Sequence, residues 1–244
     1  MPSQLVCRPE PRPPVAVLRL TGTLDAITGD ALQQAVRRAL AAQPTRLLLD
    51  LAALRVGDPI GLAALGAVVG QTRDWPDVPI VLCEAPAETR RAISAAPSCA
   101  GLVYADSCDA AIAEGRKEPE PPRVRARLRP APDACRQVRQ LVTQACERWQ
   151  RADVAETAAL IASELVANVV RHARTTMEFT FGLRNGRLSM AVRDGSRRLP
   201  KPAEPGPASP GGRGLLLVRD LTEAWGVMPV SDGKVVWTQL GTAM

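Results

Sequence analysis

The sequence predicts a two-domain α/β chain, and three observations carry that prediction. A length of 244 residues with 46% hydrophobic content suffices to bury a globular core in one or two domains. Aromatic residues make up only 3%, so the interior must be built from Ala, Val, Leu and Ile, which suits helices packed on buried strands better than an aromatic-rich β-sandwich. Apolar runs of strand length alternate with segments of helical spacing up to about residue 115, where the composition changes abruptly.

In the first part, VAVLRL (15–20) is a short apolar strand, TGTLDAITGD is turn and helix-start chemistry, and ALQQAVRRALA (31–41) has helical spacing. TRLLLDLAAL then predicts a second buried strand ending at Asp50. A helix from about Ile60 to Arg73, a strand at 79–83, a helix around Ala87 to Ser94, a strand at 101–105 and a helix from Ser107 to Glu114 continue the alternation expected of a small α/β layer fold.

The boundary is compositional. RKEPEPPRVRARLRP (116–130) has four prolines and no sustained helical period, and it reads as a linker over 116–122 running into a basic strand from Arg123 to Leu128. This stretch holds six Lys/Arg against two Asp/Glu, so much of the formal net charge of +6 is concentrated here. Charge alone is then a weak argument for nucleic-acid binding, and stacking aromatics and a recognition motif are missing, so direct nucleic-acid binding is disfavoured. The two sides share no repeat, which predicts two different modules over 14–115 and 123–244.

In the second part, RADVAETAALIASELVANVVRHA (151–173) predicts an apolar helix interrupted by Glu164, Asn168 and His172, whose spacing puts them on one face. Such a stripe either faces solvent or lines a site, because burying it without partners is costly. Strands TMEFTFGL and RLSMAVRD flank an Asn185-Gly186 turn as a hairpin ending at Asp194-Gly195. Residues 196–212 hold five prolines and predict a long mobile loop of the lid kind. Gly211-Gly212-Arg213-Gly214 then opens the helix LLLVRDL, a glycine-rich entry suited to an anion, and strands at about 224–230 and 234–240 close the module.

No apolar run of about 18 residues occurs, and the opening residues lack the apolar core of a signal peptide, so the expectation is a cytoplasmic protein with no membrane partner. Six cysteines, without a CxxC pair or metal-type spacing, predict reduced thiols. His172 is the only histidine, and no G-x-S-x-G elbow or cysteine signature accompanies it, which leaves hydrolase triads unsupported.

The order of elements and the stretch LLLDLAALRVGDPIGLAALGAVV (47–69) resemble the STAS domain of anti-sigma-factor antagonists over about residues 14–115. Where that family carries D-S-S-G-L with a phosphorylatable serine, this chain reads Asp58-Pro59-Ile60-Gly61-Leu62, and neither Pro59 nor Ile60 has a hydroxyl to accept a phosphoryl group. A proline at the first helical turn also has a purely structural explanation, since its missing N–H is unpaired there anyway.

Glu164-Leu-Val-Ala-Asn168, Asp194-Gly195 and Gly212-Arg213-Gly214-Leu215, in that order, resemble the boxes of Bergerat-fold (GHKL) ATPases. With Leu221-x-x-x-Trp225-Gly226 and Gly233-Lys234-Val235-Val236-Trp237, the likeness is to actinobacterial anti-sigma-factor serine kinases over about residues 127–240. The resemblance implies a Bergerat-fold α/β sandwich that binds ATP and Mg²⁺. It implies Mg²⁺ coordination by Asn168, general-base action by Glu164, and recognition of the adenine amine by Asp194, with close backbone approach at Gly195. Gly212 and Gly214 would present main-chain N–H groups to the phosphates, beside Leu215 and with charge from Arg213 and, less directly, Arg197, Arg198 and Lys201. The first glycine box lacks the second glycine of many GHKL members, and no dimerisation helix bears a phosphoacceptor histidine, which argues against a histidine kinase.

The expected function is that of a Ser/Thr protein kinase acting on a separate STAS-type antagonist, with a fused STAS-like module for regulation or docking. The alternative is a non-catalytic nucleotide-binding module that sequesters a sigma factor or an antagonist. The β-face of the second module suits either a homodimer or coverage in cis by the N-terminal module, and the sequence leaves both open.

Overall fold

The computed structural model describes residues 4–71, 78–117, 120–200 and 213–241. The chain divides into two compact units, Met1–Glu120 and Pro121–Met244, each with its own five-stranded sheet.

In the first unit the sheet runs β1 (Leu5–Arg12), β2 (Val15–Leu24), β3 (Leu47–Val56), β4 (Ile80–Cys83) and β5 (Val103–Ala105), side by side in chain order. Only the β1–β2 pair is antiparallel. The parallel strands are joined through α1 (Gly29–Ala41), α2 (Pro59–Gln71) and α3 (Ala87–Ala95), and α4 (Cys108–Lys117) follows β5. Leu47, Leu48 and Leu49 are fully buried in β3, and Leu32, Val36 and Leu40 form the apolar stripe of α1.

Two features differ from the sequence reading. The sheet takes in Leu5–Arg12, ahead of residue 14, although Pro9 and Pro11 read as strand breakers; proline is tolerated on an edge strand, where its nitrogen faces away from the ladder. β3 does not end at Asp50 but continues to Val56, because β2 also runs on to Leu24 and keeps pairing beyond an irregularity between Arg19 and Thr21. The last residues of the helix expected to reach Arg73 lie outside the described residues.

The second unit has an antiparallel sheet in the order β6 (Arg123–Leu128), β7 (Met177–Arg184), β8 (Arg187–Asp194), β10 (Gly233–Gly241), β9 (Ala224–Val230). The β7–β8 hairpin turns at Asn185 and Gly186, with φ of 49° and 72°, the left-handed pair that a two-residue turn of this kind requires. Helices α5 (Ala134–Arg148) and α6 (Ala155–Asn168) supply the apolar face opposite Phe179, Phe181, Met190 and Val192. Trp149, just past α5, stacks on Phe181 with ring centroids 4.9 Å apart.

The helix predicted over 151–173 is divided. A short 3₁₀ turn precedes α6, and Val169–Ala173 form a π-helical turn closed by the Arg174 N–H donating to the Val169 carbonyl at 2.8 Å. Arg174 then adopts the left-handed conformation that stops the helix. A third helix, α7 (Arg213–Leu221), leads into β9. Ser196–Pro200 are irregular, and residues 201–212 of the expected lid lie outside the described residues.

Candidate functional site

Helix α6 is apolar on the side that meets the sheet, where Ile161, Ala162, Leu165 and Val166 are buried. Glu164 and Asn168, one turn apart, are therefore left on its other side. The π turn extends that face through Arg171 and His172. Together with Ser196, Arg198 and Leu199 of the loop after β8, Gly214 and Leu215 of α7, and Lys234 of β10, these residues line a cavity of about 280 Å³.

Polar groups converge on two sides of it. On the helix side, Arg171 Nη2 lies 3.5 Å from Glu164 Oε2. A β-carbon on Gly214 would run into the same carboxylate oxygen, so the absence of a side chain at the start of α7 is what admits Glu164 to the cavity. On the sheet side, Lys234 and Asp194 face each other across β10 and β8, and both are about 3% exposed. Lys234 Nζ donates to Asp194 Oδ1 at 2.9 Å and to the Ser196 carbonyl at 3.2 Å. Asp194 Oδ1 also accepts the Ser196 N–H at 2.8 Å, whereas the buried Oδ2 has no hydrogen-bond partner among the described residues.

The structure thus brings Glu164, Asn168, Gly214 and Leu215 to one cavity. Asp194 is joined to it through Lys234 and is not itself on the lining. Gly195 is exposed beside the site, where its N–H donates to Thr175 Oγ1 at 3.0 Å. Gly212 and Lys201 lie outside the described residues, and Arg213 opens α7 with its side chain outside them. Of the two arginines that follow the hairpin, Arg198 reaches the lining and Arg197 does not. Arg171 and Lys234 were missed as site residues. Arg171 had a signal, the i, i+7 spacing from Glu164 that returns to one helix face after two turns. Lys234 had none, because its partner lies forty residues away and only the strand register pairs them.

In the first unit, Asp58 caps α2 by accepting the Gly61 N–H at 2.7 Å with Oδ1, and its Oδ2 accepts the Ala26 N–H at 3.1 Å. The two loops so tied present Ile27 and Ile60, 79% and 62% exposed. Separately, Asp50, Glu84 and Cys108 bring ligand-type atoms within 4.8 Å of one another, but Arg19 approaches Asp50 at 3.6 Å and the Cys108 N–H donates to Glu84 at 3.3 Å.

Comparison with known families matches residues 8–100 to the STAS domain and residues 128–240 to the histidine kinase-like ATPase domain. An anti-sigma-F factor antagonist, RsfB of Mycobacterium tuberculosis, is 39% identical over 61 residues, 24% of this chain and 50% of the relative. The chain thus spans about half the length of the curated relatives it matches. Among solved structures, an anti-sigma factor antagonist from Mycobacterium paratuberculosis is 25% identical with a TM-score of 0.42, over 48% of this chain and 97% of that one. The RsbU and RsbW domains of a Mycobacterium tuberculosis protein give 17% identity and a TM-score of 0.37, over 50% of this chain and 33% of that one. No helix among the described residues is long and apolar enough to cross a membrane.

Proposed function

Because this chain carries a STAS domain followed by a histidine kinase-like ATPase domain, we propose that it is an ATP-dependent regulator of the anti-sigma-factor type, whose second unit phosphorylates a serine or threonine on a separate STAS-type antagonist. The observation that carries this reading is the cavity in which Glu164, Asn168 and the glycine-opened end of α7 meet, with Lys234 on its wall and Asp194 paired behind it.

The residues present fit a magnesium nucleotide. The partnerless Asp194 Oδ2 is an acceptor with room for a donor such as an exocyclic amine, and Gly214 leaves the space through which the Glu164 carboxylate reaches the cavity. MgATP, when bound, supplies the transferable γ-phosphoryl group and a cation that offsets its charge. Asn168 offers the hard amide oxygen suited to Mg²⁺. Glu164, one turn away, would take the proton of the attacking hydroxyl on Oε2. The N-terminal end of α7 at Gly214 offers main-chain N–H groups to the phosphates, and Arg198 adds positive charge nearby.

The first unit is the docking or regulatory module. Asp58-Pro59-Ile60-Gly61 is held by a capping carboxylate and has no hydroxyl at its two central positions, so the second unit cannot regulate the first by phosphorylating Pro59 or Ile60. We assign the first module to the chain from β1 to the end of α4, Leu5 to Lys117, and the second to the chain from Arg123 onward.

One observation favours the non-catalytic alternative. Arg171 stands 3.5 Å from the very oxygen of Glu164 that would receive the proton, and a guanidinium left there would suit a module that binds nucleotide and sequesters a sigma factor or antagonist without turnover.

Titration calorimetry of ATP, with and without Mg²⁺, into the full chain and its Asp194→Asn and Asn168→Ala variants tests the site. Binding that depends on Mg²⁺ and is lost in both variants is expected; unchanged binding in both would remove the assignment. Transfer of radiolabel from γ-labelled ATP to purified STAS-type antagonists, abolished in Glu164→Gln, separates kinase from binding module, and a lack of transfer across several antagonists decides for the latter.

A further inference from the structure

Lys234 is a buried lysine on the lining of the cavity, and the roles set out above leave its third proton unused. An ammonium group carries three donors. Two are engaged, one by Asp194 Oδ1 at 2.9 Å and one by the Ser196 carbonyl at 3.2 Å, and no partner for the third is found among the described residues. Asp194 shows the complementary deficit, with Oδ1 doubly engaged and Oδ2 buried and without a partner. A spare donor and a spare acceptor therefore sit side by side on two residues locked together by the register of β8 and β10. Lys234 is the member of the pair that reaches the cavity.

We propose that Lys234 reads the nucleobase together with Asp194: its free N–H donates to a ring nitrogen of the base while Asp194 Oδ2 accepts the neighbouring exocyclic amine. This rests on the nucleotide-site reading above. Adenine offers a donor amine beside a ring-nitrogen acceptor, N6 with N1 on one edge and N6 with N7 on the other. Guanine carries an acceptor, O6, where adenine has its amine. It meets Asp194 Oδ2 with a lone pair, leaving a buried carboxylate oxygen opposed by another acceptor. A site built to satisfy buried polar groups rejects a ligand that leaves one unpaired more strongly than an apolar pocket rejects a misfit of size. Lys234 thus turns a single carboxylate into a two-point reader, and by holding Oδ1 it leaves Oδ2 as the oxygen still to be paired.

The test is competition binding on the full-length chain at fixed Mg²⁺, using ATP, GTP, 1-deaza-ATP and 7-deaza-ATP. For the wild-type chain, one of the two deaza analogues is expected to bind about tenfold or more weakly than ATP, the loss of one hydrogen bond to a charged donor, and GTP to bind more weakly still. In Lys234→Met the discrimination between ATP and that analogue should vanish, whereas a merely structural lysine would lower affinity for both equally. Lys234→Gln, which keeps an N–H donor, should retain part of the discrimination. Equal binding of ATP and both deaza analogues to the wild-type chain overturns the proposal, as does discrimination that survives in Lys234→Met. If that variant does not fold, because it strands the Asp194 carboxylate, Lys234→Gln decides: discrimination as large as in the wild type overturns the proposal. Failure of the wild-type chain to bind ATP overturns the nucleotide-site reading itself and this proposal with it.

Discussion

Gly214 at the start of α7 stands directly against Glu164 of α6, so closely that a β-carbon on the glycine would run into carboxylate Oε2. The contact is with the tip of a flexible side chain rather than with backbone, so Gly214→Ala should displace the carboxylate without unfolding the unit. The expected outcome is a melting temperature within a few degrees of wild type and at least a tenfold loss of phosphoryl transfer, since a base moved by about 1 Å can cost 10²-fold. A variant that melts normally and transfers normally would show that Glu164 need not occupy this position.

Asp58 ties two loops of the first unit, with Oδ1 on the Gly61 N–H and Oδ2 on the Ala26 N–H. Asp58→Ala should therefore cost about 1 to 2 kcal/mol, the upper part of the range for a lost helix cap. Denaturant unfolding of the full chain, followed by a probe placed in the first unit, measures it. Pro59→Ala, which removes no donor or acceptor, should cost much less.

The Phe181 ring is fully buried and stacks on Trp149, 4.9 Å between centroids, in a core confined to the second unit. Phe181→Ala should destabilise that unit by about 3 to 5 kcal/mol. The first unit has its own sheet and core, so calorimetry should show one transition moving down while the other stays in place.

Burial pushes the Cys146 thiol, at the heart of the same core, up to about 11, with Asp153 and Glu147 adding to the shift. An acid whose folded value is raised keeps its proton in the native state after the unfolded chain has lost it. The stability tied to that proton is fully present below the ordinary thiol value of 9.0 and is lost as pH rises from there through about 11. Thermal melts of the second unit should fall more steeply over that interval in the wild type than in Cys146→Ala, and the two slopes should agree at neutral pH. Cys146 should also resist thiol reagents at pH 8 until the unit unfolds.

Much of the second unit was legible because its signals are local. The alternation of RVRARL, the Asn185-Gly186 turn and the strand on either side of it each declare themselves within a few residues. Glu164 and Asn168 were visible for the same reason, one helical turn apart in apolar surroundings. What was hidden depends on the rest of the chain. Pro9 and Pro11 look like breakers until β2 offers them an edge to lie on, and the π turn after Asn168 leaves no mark in the order of apolar residues. The Lys234–Asp194 pair needs the register of two strands whose order a sequence does not print.

The prolines of β1 also bear on how the protein behaves in concentrated solution. Pro9 and Pro11 have no N–H to give, and in a paired edge strand those missing donors belong to the outward side. Glu10 and Arg12 add charge along the same strand. An incoming strand would find an interrupted, charged rim in place of a continuous ladder, so the sheet resists being lengthened by another polypeptide. Removing residues 1–12 would strip that guard and bare β2, a ten-residue strand with Val17, Leu18 and Leu20 in the core. Turbidity and sedimentation of the shortened chain, against the intact one at equal concentration, would register the difference as precipitation.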